Sequence, residues 1–73
     1  MKKFKLLVEK IPIATVYYSF NSTYKSYQCS IVKNDLSDAI HDIFSKELNN
    51  PTENIIYLAN RFGLENFEIE ECQ

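Results

Sequence analysis

Apolar and polar positions alternate along residues 3 to 9. Phe4, Leu6 and Val8 fall on one side and Lys3, Lys5 and Glu9 on the other, the period-2 pattern of a half-buried strand. Pro12 interrupts between Ile11 and Ile13, and a residue that cannot donate to a ladder marks a turn or a strand start. Residues 13 to 20 are rich in β-branched and aromatic types and predict a second strand. Asn21, Ser22 and Thr23 form a turn cluster. Residues 26 to 32 alternate again, with Tyr27, Cys29 and Ile31 on one face and Gln28, Ser30 and Val32 on the other. The first half is therefore expected to be a three-stranded antiparallel meander.

The period then changes. Leu36, Ala39, Ile40, Ile43, Phe44 and Leu48 recur at three- and four-residue spacing, which predicts an amphipathic helix capped by Asp35. Asp38, His41, Asp42, Ser45 and Lys46 fall on its opposite side. Asn49 and Asn50 end it. A second helix opens at Asn50, with Pro51 at its first position and Glu53 where a capping box places an acid. Ile55, Leu58, Ala59 and Phe62 form its apolar stripe. Gly63 supplies a left-handed stop that Leu64 closes hydrophobically. Residues 66 to 71 alternate as a last strand, with Phe67 and Ile69 inward.

The expected fold class is α+β, one domain over residues 1–73. Its elements run β-β-β-α-α-β as a four-stranded antiparallel sheet of order 3-2-1-4, with a helical hairpin packed on one face. In that order Lys3 and Lys5 face Glu68 and Glu70 across the first and last strands, a modestly favourable pairing; pairing of the last strand with the third is the alternative. The third strand, residues 26–32, is then a free edge and a candidate for homodimer pairing.

Composition narrows the class. At 73 residues with 45% hydrophobic and 14% aromatic content, the chain suits one small folded domain rather than a disordered tail. The apolar run at the N-terminus is cut by Lys5 and Glu9, so no export signal is expected, and no stretch is apolar enough to span a membrane. The expected location is the cytoplasm. Two cysteines, Cys29 and Cys72, make no disulfide framework and are expected to be reduced.

The formal net charge of -2 conceals an asymmetry. Residues 1 to 33 hold six Lys and one acid, a balance of +5, whereas residues 34 to 73 hold two bases and nine acids, a balance of -7. One consequence is complementarity within the molecule, a basic sheet half against an acidic helical half. The other is an acidic helical face made by Asp35, Asp38, Asp42 and Glu53 that suits a basic partner surface. The outer face of the sheet, carrying Leu7 and Tyr17, is a second candidate partner surface because it is more apolar than solvation requires.

Chemistry is sparse. His41 is the only histidine, Gly63 the only glycine, and Cys29, His41 and Cys72 stand at no zinc-ligand spacing. No cofactor, metal site or catalytic constellation is expected. A ribonuclease-type toxin would have to draw on His41, Arg61 and Tyr57. Nucleic-acid binding is disfavoured by the lack of a basic excess.

The chain has seven Asn, five Tyr, eight Ile and seven Lys but no Trp, a profile common in AT-rich genomes and their phages and plasmids. In size and in the order β-β-β-α-α-β it resembles small inhibitors of host defence enzymes carried by phages and mobile elements, such as the anti-CRISPR proteins. The resemblance implies a non-enzymatic module that binds a host protein in the host cytoplasm. Nucleic-acid regulation and toxin activity are the alternatives.

Overall fold

A computed structural model of the chain describes residues 1–35, 37–45 and 50–72. The elements are β1 (Lys2–Val8), β2 (Ile11–Asn21), β3 (Ser26–Lys33), β4 (Ala39–Phe44), α1 (Pro51–Arg61) and β5 (Glu68–Cys72). The strands form one five-stranded antiparallel sheet of order β4-β3-β2-β1-β5. The meander of β1, β2 and β3 and the docking of the last strand beside β1 agree with the sequence pattern. The register is shifted by two residues from one in which both lysines face both glutamates: Lys5 stands opposite Glu70, Lys3 opposite Cys72 and Leu7 opposite Glu68.

The expected four-stranded sheet with a helical hairpin is not what forms. The first predicted helix is replaced over Ala39–Phe44 by the strand β4, which pairs with β3 from Val32 to Tyr27. Leu36, Lys46, Leu48 and Asn49, on which part of the helical pattern rested, lie outside the described residues. The physical reason is packing: as a strand the segment carries Ile40 and Phe44 onto the core side of the sheet, where both pack against the buried cluster. Ile40, Ile43 and Phe44 are β-branched or aromatic, types that suit a pleated surface. The correction extends to the edges. Residues 26–32 are an interior strand, so the proposed homodimer edge is already occupied by β4.

β1 and β2 join through Glu9 and Lys10, both at positive φ (50° and 67°), with Val8 opposite Ile11. The turn thus precedes Pro12, which sits inside β2 beside a register shift at Leu6/Leu7. α1 follows its sequence signals closely. Asn50 accepts a hydrogen bond from Thr52 N–H at 2.9 Å, and Pro51 occupies the first turn. At the other end Gly63 takes φ 84°, and the N–H groups of Gly63 and Leu64 donate to the carbonyls of Asn60 and Ala59. This is the paired-bond stop that satisfies terminal helix carbonyls.

The core lies between α1 and one face of the sheet. Ile55, Leu58 and Ala59 from the helix meet Phe4, Leu6, Ala14, Val16, Tyr18, Cys29 and Ile31 from the strands. Burying a side chain such as Ile55 or Leu58 stabilises by about 1.5–3 kcal/mol. Phe20 lies on the same side of β2 as Val16 and Tyr18 but toward the strand's end, where it is 53% exposed and its ring packs on Tyr27 at 4.9 Å. Among the described residues no helix is long and apolar enough to cross a membrane.

Candidate functional site

Only one face of the sheet meets α1. The other face carries the side chains that alternate away from the core, and strand pairing arranges them in rows. One row crosses all five strands: Cys72, Lys3, Tyr17, Ser30 and His41. The next row holds Glu70, Lys5, Thr15, Val32 and Ala39. On the other side of the first, Ser19, Gln28 and Ile43 stand abreast. With strands about 4.8 Å apart, the platform is roughly 20 Å across.

Charge is segregated on this face. Lys3 and Lys5 from β1 stand beside Glu68, Glu70 and Cys72 of β5. The part built by β2, β3 and β4 contains no Lys, Arg, Asp or Glu. At its centre Tyr17 is 39% exposed, with the Lys3 ammonium 5.9 Å from its ring centroid. Ser30 and His41 are neighbours on adjacent strands, and Ser30 Oγ hydrogen-bonds His41 Nδ1 at 2.8 Å. Ile43, 55% exposed, closes the patch at the outer strand. Leu7 lies on β1 between Glu68 and Pro12, half-buried at the far corner of the face.

The four acids expected on one helical face are dispersed. Asp35, Asp38 and Asp42 are not helical. Asp35 sits in the turn after β3, where the Ser37 hydroxyl and then its backbone N–H donate to the carboxylate and hold its pKa below the usual value. Asp38 precedes β4. Asp42 points to the helix side of the sheet and pairs with Arg61 at 2.6 Å. Asp42 and Glu53 both line an open cleft between β4 and α1, together with Phe44 and Tyr57. Their rings are in edge contact at 5.9 Å, and the Arg61 guanidinium lies 5.6 Å from the Tyr57 ring. The chain's own cation thus engages the cleft.

His41, Arg61 and Tyr57, the set a ribonuclease-type reading would need, are divided by the sheet. His41 projects from the outer face, and the other two belong to α1 on the inner side. Asp38 and His41, placed together on the polar side of the expected helix, face opposite ways in the extended chain. Among the described residues no three of His, Cys, Asp and Glu gather into a set that holds a metal ion. Cys29 is fully buried, and burial first, with the Asp42 carboxylate second, pushes its thiol up from 9.0 to about 12. Cys72 is free and half-buried.

Sequence reading placed Tyr17 and Leu7 on the outer face but missed the contribution of His41 and Ile43, which it assigned to a helix. The β-branched and aromatic content of Ile40, Ile43 and Phe44 is the one local signal for a strand there, and Asp42 interrupts its alternation. No family model matches the chain, and neither a curated protein nor a solved structure does.

Proposed function

We propose that this protein is a small protein-binding module that acts by laying the outer face of its sheet against a partner protein, as an inhibitor or regulator does. The observation that carries the reading is the patch on β2, β3 and β4 that lacks formal charge while remaining open to solvent. Interface centres are depleted of charged residues and enriched in Tyr, and they supply hydrogen-bonding groups around apolar ones. Tyr17, Ser30, Gln28 and His41 offer donors and acceptors, while Val32 and Ile43 offer apolar area. The partner surface that fits is flat, largely uncharged and rich in hydrogen-bonding groups.

Support for a phage or mobile-element setting is compositional. The element order that carried the likeness to anti-CRISPR proteins is not the order this chain has, so the binding face carries the proposal. Nucleic-acid binding is the weaker alternative. Lys3 and Lys5 stand beside Glu68 and Glu70, and the rest of the face has no fixed positive charge to neutralise phosphates.

The test is capture of partners from the cell that makes the protein, using wild type, a Tyr17→Lys/Val32→Lys variant and Glu53→Gln. A protein retained by wild type and by Glu53→Gln, but lost with the two lysines, supports the outer face. Equal retention by all three overturns it. A low-salt shift of RNA or DNA that both lysines strengthen would favour the alternative.

A further inference from the structure

Among the described residues β4 is an outermost strand with β3 as its only strand neighbour. Two bonds fix which of its backbone groups face outward. Lys33 N–H donates to the Asp38 carbonyl, and Asn34 N–H donates to the Ile13 carbonyl, each at 3.1 Å. Bonding direction alternates along an antiparallel strand. Odd-numbered residues of β3 therefore bond toward β4 and even-numbered ones toward β2. On the β4 side, Asp38, Ile40, Asp42 and Phe44 turn toward β3. Ala39, His41 and Ile43 turn their N–H and C=O groups to the free edge.

Two of those three outward N–H groups are already engaged. Ala39 N–H donates to Asp38 Oδ1 at 2.9 Å, and Ile43 N–H donates to Asp42 Oδ1 at 2.8 Å. The second oxygen of Asp42 is held by Arg61 at 2.6 Å. That bond anchors the carboxylate to α1 and keeps it at the strand edge.

We infer that Asp38 and Asp42 close the β4 edge against pairing with a second copy of this chain. The occupant follows from the symmetry of the strand. The three outward residues are spaced evenly about His41, so two antiparallel copies meet on a two-fold axis there. Ala39 of one copy then faces Ile43 of the other, an apolar contact on the outer face, and His41 faces its counterpart. The arrangement has six backbone bonds, and four of them need the N–H groups of Ala39 or Ile43. Those four are the donors that the aspartates take. A freely paired edge is the usual hazard of an open sheet, and it is commonly blunted by charge. Here the charge also acts as a hydrogen-bond acceptor in the place of the missing strand.

Sedimentation equilibrium of the full chain tests this. Wild type is expected to sediment near 8.6 kDa. The Asp38→Ala/Asp42→Ala variant is expected to pair, with a dimer dissociation constant lowered by about tenfold or more. Adding His41→Pro should restore the monomer, because proline removes an outward N–H that makes no bond to β3. Asp38→Asn/Asp42→Asn should stay monomeric, since the amide oxygen still accepts. Should the double alanine variant fail to fold, Asp38→Ala alone decides, because Asp38 lies before the strand and leaves the Arg61 bond intact. A folded alanine variant that remains as monomeric as wild type overturns the inference. So does an asparagine variant that pairs as strongly as alanine, or a wild-type dimer that His41→Pro dissolves.

Discussion

Asn54 of α1 donates a hydrogen bond from its side-chain amide to the Tyr18 hydroxyl of β2 at 2.7 Å, inside the helix–sheet interface. Asn54 is 2% exposed and Tyr18 3%. A polar pair at this depth contributes less through its net attraction than through the penalty of separating it. Tyr18→Phe keeps the ring and its packing but removes the oxygen, leaving one amide hydrogen of Asn54 without that acceptor in a dry site. The expected loss is about 1–3 kcal/mol, read as a lower urea midpoint with an unchanged slope. An unchanged midpoint would mean that the amide finds another acceptor on relaxation.

Signals carried within a few residues were legible in the sequence. The caps of α1 at Asn50, Pro51 and Gly63 act over one turn, and the alternation in β1 and β3 repeats over consecutive residues. The placement of β5 beside β1 was legible as one of two arrangements, through the charge complementarity of Lys3 and Lys5 with Glu68 and Glu70, of which Lys5 opposite Glu70 is the pair that forms. The segment from Ala39 to Phe44 was not. Its apolar residues at 39, 40, 43 and 44 fit a helical stripe as well as a strand, and the polar Asp42 breaks the inward alternation that would have marked the strand. Asp42 is tolerated there because Arg61, nineteen residues later, reaches across to it. A partner so distant in sequence leaves no local trace, and neither does the core surface against which Ile40 and Phe44 pack. The acidic face was lost with the helix, while Tyr17 was placed on the outer face with Tyr18 beside it fitting either side by residue type alone.

Amide exchange distinguishes the two readings of that segment residue by residue. In β4 the N–H groups of Ile40, Asp42 and Phe44 point to β3, and those of Ala39, His41 and Ile43 point to the free edge. The first set should exchange markedly more slowly than the second, with His41 the fastest, since carboxylates alone hold Ala39 and Ile43. A helix would protect its successive amides without an odd–even alternation. Uniform rates from 39 to 44 would remove both the strand and the edge argument built on it.

The β1–β2 turn stores removable strain. Glu9 and Lys10 both occupy positive φ, a region that L side chains adopt at a cost and that Asn and Gly adopt readily. Two-residue hairpins of this handedness favour Asn-Gly for that reason. Glu9→Asn with Lys10→Gly should raise stability by about 1 kcal/mol, net of the greater chain entropy of glycine when unfolded. A thermal melt against wild type reads the change. A lower melting temperature would show that the Glu9 or Lys10 side chain contributes more than its backbone costs.

Cys29 gives the fold an alkaline dependence whose sign is fixed by its surroundings. Burial beside Asp42 raises its pKa to about 12 from 9.0, so the folded chain keeps the thiol proton over a range in which the unfolded chain releases it. The contribution is fully present below pH 9 and declines as pH rises toward 12. While only the unfolded chain ionises, stability falls by about 1.4 kcal/mol per pH unit from this one group. Cys29→Ala removes that slope at the cost of a small cavity, so its stability curve should begin lower and fall less steeply above pH 9. The same burial makes the thiol a poor nucleophile, since the thiolate is the reactive form. In native protein at neutral pH a thiol reagent should label Cys72 first and reach Cys29 only at the rate of unfolding. The two cysteines cannot bridge, because β1 and β2 lie between their strands and their side chains leave opposite faces. Labelling of both thiols at equal rates in the folded protein, with identical pH slopes for wild type and Cys29→Ala, would place Cys29 outside the dry core.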